Sequence, residues 1–420
     1  MRIAIFSDSL PPRVDGIAVA VQQLTIGLIR SGHEVLLVGP GRDLAHAAET
    51  AQLLRLPSFP TLFDGYPFTV PLRLSMRRAL QQFRPDVVSA QTAGPIGLIG
   101  LSLARQLCVP SLFSWHTDFE AYGQSYWLAP RALAAASYLP FILDQAGVTE
   151  LGRAARGRGR PAGATRGLIP ASLRRASRWM SAVCAPSIES ADQVRRFGLQ
   201  RPVFVMPADI TPEDLGVGSA AAHRALQAVP EAGATPYLLF IGRLSREKNL
   251  ELLLEAFVRR VPAPTRLVLV GPANDARMRS MLSSRATALP GRIVVTGALP
   301  RSELGEIYRS AAAFVTASMS ETQCLCICEA VALDVPVLVV DPHLAKDRPP
   351  GAIHVVPPNA DALGGAMAEL SRPGGRPRVR PTSAKPMAGL AIRFAAATDS
   401  VVSVPSGATL HWDEGRWITV

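Results

Sequence analysis

Long apolar runs are missing from this 420-residue chain. No uninterrupted stretch approaches the roughly 18 residues that a helix needs to span a bilayer, so a membrane-spanning segment is not expected. No secretory leader is expected either, because Met1-Arg2-Ile3-Ala4-Ile5-Phe6 enters a strand-like run at once. Cysteine is scarce, five in all and odd in number, which argues against a disulfide framework and for a reducing, cytoplasmic setting. Acidic residues are missing where basic ones gather. Residues 151–178 hold eight arginines and no acid, and residues 371–420 hold seven basic and three acidic residues. The net charge of +11 therefore belongs to one segment and one tail, not to a nucleic-acid-binding face, and nucleic acid is not an expected partner. Arginines set among glycines and apolar residues suit an anionic membrane surface, on the inner face of a membrane; a solvated loop is the other reading. What is present is ample core: 48% hydrophobic against 18% charged residues, in a chain long enough for two domains.

Short apolar or β-branched runs recur at Arg2–Phe6, Glu34–Val38, Val87–Ala90, Ser111–Trp115, Ala182–Ala185 and Val203–Met206. Between the first two, Ile17, Val21, Leu24 and Leu28 stand at helical spacing, stopped by Ser31-Gly32. The alternation resumes after Thr235-Pro236 with Tyr237–Ile241, Arg266–Val270, Arg292–Val295, Ala313–Thr316, Val337–Val340 and Ile353–Val356. Strands alternating with helices mean parallel βαβ units. The expected fold class is α/β, with two doubly wound Rossmann-like domains, 1–207 and 236–370. Residues 128–180 read as a basic insert in the first domain, and 371–420 as an atypical Pro/Arg-rich tail.

In open α/β sheets ligands gather at the carboxyl ends of the strands, and the chemistry-bearing residues fall there. After the first strand, Ser7-Asp8-Ser9-Leu10-Pro11-Pro12-Arg13-Val14-Asp15-Gly16 ends on a glycine that lets backbone approach a phosphate or sugar; a plain turn explains it equally. After the fourth strand, His116 falls where a side chain can face a cleft, though a lone histidine there is more often structural. Gly242-Arg243-Leu244-Ser245-Arg246-Glu247-Lys248-Asn249 puts two cations on one strand-to-helix turn, where they can bracket a diphosphate and stabilise it as a leaving group. In Ser320-Glu321-Thr322-Gln323-Cys324-Leu325-Cys326-Ile327-Cys328-Glu329 two glutamates stand eight positions apart around a helix start. Free N–H groups from Thr322 to Leu325 can hold a diphosphate, and Glu321 and Glu329 can accept from sugar and ribose hydroxyls. Two solvated glutamates on an amphipathic helix would give the same spacing. Cys324, Cys326 and Cys328 lack a nearby fourth metal ligand, and no metal is expected.

Taken together and in order, these segments resemble the retaining glycosyltransferases of family four, which have the GT-B fold of two facing Rossmann-like domains. The likeness covers residues 1–126 and about 180–365. Glu321 to Ala332 is similar to the E-x7-E string of lipid-directed mannosyl- and sulfoquinovosyltransferases, Gly242 to Leu250 to their G-R-L-x-x-E-K-N-L, and Ser114-Trp115-His116-Thr117-Asp118-Phe119 to their S-Y-H-T-D-F. The resemblance implies that Arg243 and Lys248 hold the donor diphosphate, Glu321 the sugar, Glu329 the ribose, and that His116 lines the reacting centre. It implies a nucleotide-diphosphate sugar as donor, mannose as the guessed hexose, a hydroxyl acceptor such as a lipid or glycan, and no cofactor or metal. The leaving diphosphate then helps to deprotonate the acceptor on the same face. Three departures stand out: Asp15 where asparagine is usual, Cys324 where the family has glycine, and Asp341-Pro342-His343-Leu344 in place of a glycine-rich loop. No counterpart is expected in 371–420 for the family's C-terminal helix that braces the first domain. A donor-binding pseudoenzyme is the alternative from another class, and a nucleotide-sugar epimerase a second enzyme reading.

Overall fold

The computed structural model describes residues 1–11, 13, 15–40, 51–59, 68–69, 72–117, 173–208, 210, 212–216, 235–273, 275–319, 321–346, 348, 351–372, 390–400, 404, 407–413 and 416–419. The chain divides into two compact units, Met1–Pro207 with Ala388–Val420, and Ala208–Met387.

The first unit runs β1 (Arg2–Phe6), α1 (Gly16–Arg30), β2 (Glu34–Pro40), β3 (Gln52–Leu56), β4 (Ser58–Phe59), β5 (Phe68–Thr69), α2 (Arg73–Phe83), β6 (Val87–Ala90), α3 (Pro95–Gln106), β7 (Ser111–Ser114), β8 (Ala182–Ala185), α4 (Ile188–Arg196) and β9 (Val203–Val205). The apolar strands are buried on both faces, as a parallel sheet requires: Ile3, Ala4, Ile5 and Phe6 have no exposed surface. Helix α1 starts where Asp15 accepts the Ala18 amide (2.8 Å), and it stops at Ser31 and Gly32, the latter at φ 79°.

The second unit runs β10 (Tyr237–Ile241), α5 (Leu250–Arg260), β11 (Arg266–Val270), α6 (Ala276–Ala288), β12 (Ile293–Gly297), α7 (Leu304–Ser310), β13 (Ala313–Thr316), α8 (Leu325–Ala332), β14 (Val337–Val339), β15 (Ile353–Val355) and α9 (Ala360–Leu370). Among the described residues its sheet has the order β12-β11-β10-β13-β14-β15, all parallel. That is the doubly wound order, which reverses between β10 and β13 and leaves a crevice at their carboxyl ends. Its two apolar layers sit on either side of the sheet, one built on Leu253, Leu254 and Phe257, the other on Ile307, Tyr308 and Ile327.

Two expectations do not hold. The tail returns to the first unit: α10 (Leu390–Ser400) packs against α1, and β16 (Thr409–Asp413) and β17 (Arg416–Thr419) extend the sheet, giving the order β17-β16-β9-β8-β7-β6-β1-β2-β3. Phe394, Ala397 and Leu410 share a core with Val21, Leu24 and Leu28. A brace to the first unit is therefore present; its few large apolar side chains and Pro-rich approach hid it from pattern reading. The basic insert also ends earlier than expected. Leu173, Ala176 and Met180 are buried in the first core, and Arg174 lies over the Phe197 ring, 5.2 Å from its centroid. Arg174, Arg175 and Arg178 thus belong to a packed segment, while residues 128–172 and the Gly152–Gly167 stretch lie outside the described residues.

Candidate active site

In the second unit the reversal of strand order brings two loops together that are far apart in sequence. Strand β10 delivers Gly242, at φ 151°, against Gly271 at φ 142°; a Cβ on Gly271 would fall 1.9 Å from the Gly242 carbonyl oxygen, so only glycine allows this approach. The loop continues through Arg243 and a 3-10 turn (Arg246–Lys248), closed by Asn249 at φ 51°. Here Arg243 pairs with Glu247 at 3.1 Å, and Ser245 Oγ donates to the same carboxylate at 2.6 Å. From the far side of the switch point, the loop after β13 supplies Glu321, which accepts from Lys248 Nζ at 2.5 Å. Burial alone would lower the lysine pKa, but Glu321, with Cys324 and Glu247, outweighs it and the net shift is upward. The ammonium is charged throughout the physiological range.

Helix α8 follows at once. Cys324 stands at its N-cap with φ 56° and ψ 87°, and its own side chain makes no capping hydrogen bond. A left-handed backbone here is a glycine's conformation, and it explains why the resemblance places glycine at this position. The Cys324 and Cys326 side chains pack against the apolar core, and no group of three or more His, Cys, Asp or Glu side chains gathers for a metal among the described residues. Thr322 and Gln323 lead into the helix and Leu325 opens it. Gln323 is buried, its Oε1 taking the Ala208 amide at 3.2 Å. Glu329 sits one turn further in, 2% exposed. Its Oε1 is held by Arg301 and its Oε2 accepts from Tyr308 OH at 2.6 Å.

The first unit has its own reversal, between β1 and β6. Asp15 is here a structural carboxylate: besides capping α1 it accepts from Ser9 Oγ at 2.7 Å and from Arg13. Gly16 opens α1, and a Cβ there would meet nothing within 4 Å among the described residues, so none of these demands glycine. Asp8 bridges to the β6 side, accepting from Thr92 Oγ1 at 2.5 Å and from the Ile96 and Gly97 amides at 3.1 and 3.3 Å. It thereby caps α3, whose N-cap Gly94 has no side chain. After β7, His116 Nε2 meets Gln91 Oε1 at 2.8 Å, and Gln91 in turn donates to Ser89 Oγ at 2.6 Å. Burial holds the His116 pKa down to about 4, against the opposing pull of Asp15, so the ring is neutral at pH 7.

The structure thus brings Arg243, Lys248, Glu321, Thr322, Gln323, Cys324, Leu325 and Glu329 to one end of the second sheet, and places Gly16 and His116 at the corresponding end of the first. Sequence reading did not single out Arg301, Tyr308 or Gln91 as partners of the acidic and imidazole groups, to which they hydrogen-bond. It missed Arg348 too, whose Nη2 donates to the Gln323 carbonyl at 3.2 Å and lies 3.1 Å from Cys328 Sγ. Arg301 and Tyr308 stand seven apart around a short helix, and nothing in that spacing points at a glutamate 28 and 21 residues away.

Two doubly wound α/β units of this kind are the architecture of the GT-B glycosyltransferases. Family models match the same regions: Glycosyltransferase Family 4 over residues 14–212, and Glycosyl transferases group 1 over residues 235–372. The GDP-mannose-dependent alpha-mannosyltransferase of Mycobacterium tuberculosis is 30% identical over 356 residues, 83% of this chain and 81% of that protein. The alpha-monoglucosyldiacylglycerol synthase of Streptococcus pneumoniae is 26% identical, covering 80% of this chain and 70% of that one. Among solved structures, Anabaena HepE in complex with UDP and glucose has a TM-score of 0.66 at 13% identity, over 96% of this chain and 100% of that one. The chain belongs to glycosyltransferase family 4 and is a glycosyltransferase of the GT-B fold.

Proposed function

We propose that this enzyme transfers a hexose, mannose in the favoured reading, from a nucleotide-diphosphate sugar to a hydroxyl of a membrane lipid, with retention of anomeric configuration and without a bound metal. One observation carries the reading: the meeting of the Arg243–Lys248 loop with the Glu321–Leu325 turn at the switch point of the second unit. On this reading Arg243 and Lys248 take the diphosphate, with backbone amides from Thr322 to Leu325 and the α8 dipole. Diphosphate oxygens then compete for the two cations with Glu247 and Glu321, releasing Glu321 to accept from a sugar hydroxyl. Glu329 serves the ribose, Gly16 lets backbone approach the donor's phosphate or sugar, and His116 lines the reacting centre. A neutral His116 fits that role because it places no second positive charge beside an oxocarbenium-like sugar. The relative named as GDP-mannose-dependent favours that donor.

A lipid acceptor is favoured by relatives whose names carry a monoglucosyldiacylglycerol and a phosphatidylinositol dimannoside, and by the outer face of α2. Leu74 there is 72% exposed and Leu72 42%, beside Arg73, Arg77, Arg78 and Arg84, with no acid from 72 to 85. Exposed leucines among arginines suit insertion into an anionic surface. No helix among the described residues is long and apolar enough to cross a membrane.

The test is incubation with labelled GDP-, UDP- and ADP-sugars, lipid acceptors and a chelator, with the product anomer read by NMR. Chelator-resistant transfer with retention supports the reading, and an inverted product or strict metal dependence overturns it. Donor binding with neither transfer nor hydrolysis would favour the pseudoenzyme, for which the cysteine at the left-handed Cys324 position is the specific observation. Sedimentation with anionic vesicles, lost on replacing Leu74, Arg77 and Arg78 by glutamate, tests the lipid surface; equal behaviour on neutral vesicles would point to a water-borne acceptor.

A further inference from the structure

The Glu329 carboxylate is almost wholly buried yet has to act as a hydrogen-bond acceptor. Four elements face it. Arg301, from the 3-10 turn after β12 (Arg301–Glu303), binds Oε1; Tyr308 of α7 binds Oε2; Asp214, from the 3-10 turn Pro212–Leu215, adds a like charge; and Cys326 and Cys328 lie along α8 itself. Arg301 is the sole cation among these groups. Its Nε and Nη2 atoms are buried with no hydrogen-bond partner among the described residues. The guanidinium is therefore not anchored by a wider network: its hydrogen bonding to the described protein runs through Glu329.

We propose that Arg301 is the positioning residue of the donor site, holding Glu329 as an aimed, negatively charged acceptor for the ribose hydroxyls of the nucleotide. The proposal rests on the donor reading above. Its physical basis is the contest inside α8. Burial raises the Glu329 pKa, Arg301 pulls it back, Tyr308 assists, and Asp214 adds to the rise. A protonated glutamic acid loses its charge and turns one oxygen into a donor, so with Tyr308 still bound it is a much weaker acceptor for both hydroxyls of a ribose diol. Two carboxylate oxygens have about four acceptor directions, and Arg301 and Tyr308 use one each, which leaves capacity for the diol. Sequence spacing would hide such a residue, because Arg301 lies on a different strand-to-helix connection from the glutamate it serves.

The experiment compares binding of GDP and 2′,3′-dideoxy-GDP by calorimetry from pH 6 to 9, in the wild type, Arg301→Met and Arg301→Lys, with thermal unfolding as the folding control. Wild type should prefer GDP by at least about tenfold across the range, the worth of charge-assisted hydrogen bonds to a carboxylate. In Arg301→Met that preference should shrink as pH falls, because the unassisted carboxyl protonates first at acid pH, and it should return toward pH 9. Arg301→Lys, which keeps the charge, should restore a pH-independent preference. In turnover with a GDP-sugar, Arg301→Met should raise donor KM with little change in kcat. A GDP preference in Arg301→Met that stays pH-flat and undiminished overturns the proposal, as does an equal weakening of both ligands at every pH, which a merely structural role would produce. If folded wild-type protein binds no nucleoside diphosphate, the donor reading itself has failed; that result is distinct from either outcome for Arg301.

Discussion

Replacing Lys248 by methionine should damage the second unit and its chemistry together, and by amounts the structure sets. The Lys248 and Glu321 side chains are only 18% and 11% exposed, and they meet at 2.5 Å. Methionine fills much the same volume but strands the carboxylate. Breaking a buried pair by removing one partner costs about 3–5 kcal/mol, and the residual water contact places this case at the lower end, about 3 kcal/mol. In a domain of 150–250 residues each kcal/mol moves Tm by roughly 2–4 °C, so the transition of the second unit should fall by about 6–12 °C. Lys248→Met with Glu321→Gln should recover about 2 kcal/mol of that loss, since the stranded charge is gone, and guanidinium denaturation of all four proteins measures the coupling. The folded lysine titrates above its ordinary 10.5. Its contribution is therefore fully present below the unfolded value and fades only as pH rises through the folded one, so the difference between wild type and Lys248→Met should stay constant from pH 7 to 10. Turnover should drop roughly 100-fold, the magnitude of losing a charge-stabilising group from a transition state. Single and double variants that add within about 0.5 kcal/mol would refute the pairing, and near-full turnover in Lys248→Met would refute its place at the diphosphate.

Cys324→Gly should stabilise the second unit, because relief of a left-handed non-glycine residue is worth about 1–2 kcal/mol and exceeds the roughly 0.4–1 kcal/mol of added unfolded-state freedom; donor affinity by calorimetry should tighten as well, and weaker binding would show that the loop depends on the thiol. His116 titrates near 4 in the folded chain against an ordinary 6.5, so its contribution to stability is present above 6.5 and is lost as pH falls toward 4; the slope of stability against pH in that window should be shallower in His116→Gln, and an unchanged slope would mean the ring is not buried neutral. Asp8→Ala strips the cap from α3 and leaves Thr92 and two backbone amides without their acceptor, which should cost the first unit about 2 kcal/mol, measured by denaturant unfolding.

The sequence alone determined the central parallel strands of both units and the residues at their ends, though not β3 or the tail's β16. Runs such as Ile3–Phe6 and Leu238–Ile241 are apolar on both faces and short, and only a covered parallel sheet can bury them. Gly242 with Arg243 and Lys248, and Glu321 with Glu329, were readable because chemistry-bearing residues at strand ends need no tertiary knowledge to be noticed. Tertiary structure decided who meets whom. The strand order sets β10 beside β13, so Lys248 reaches Glu321 across 73 residues, and the loop after β12 brings Arg301 to Glu329. It also turned Asp15 into a cap and Asp8 into the support of α3, and it drew the α10 helix of the tail onto α1. Local patterns report which surface of an element is apolar; the partner of a buried charge depends on which elements pack side by side, and that is fixed only when the sheet closes.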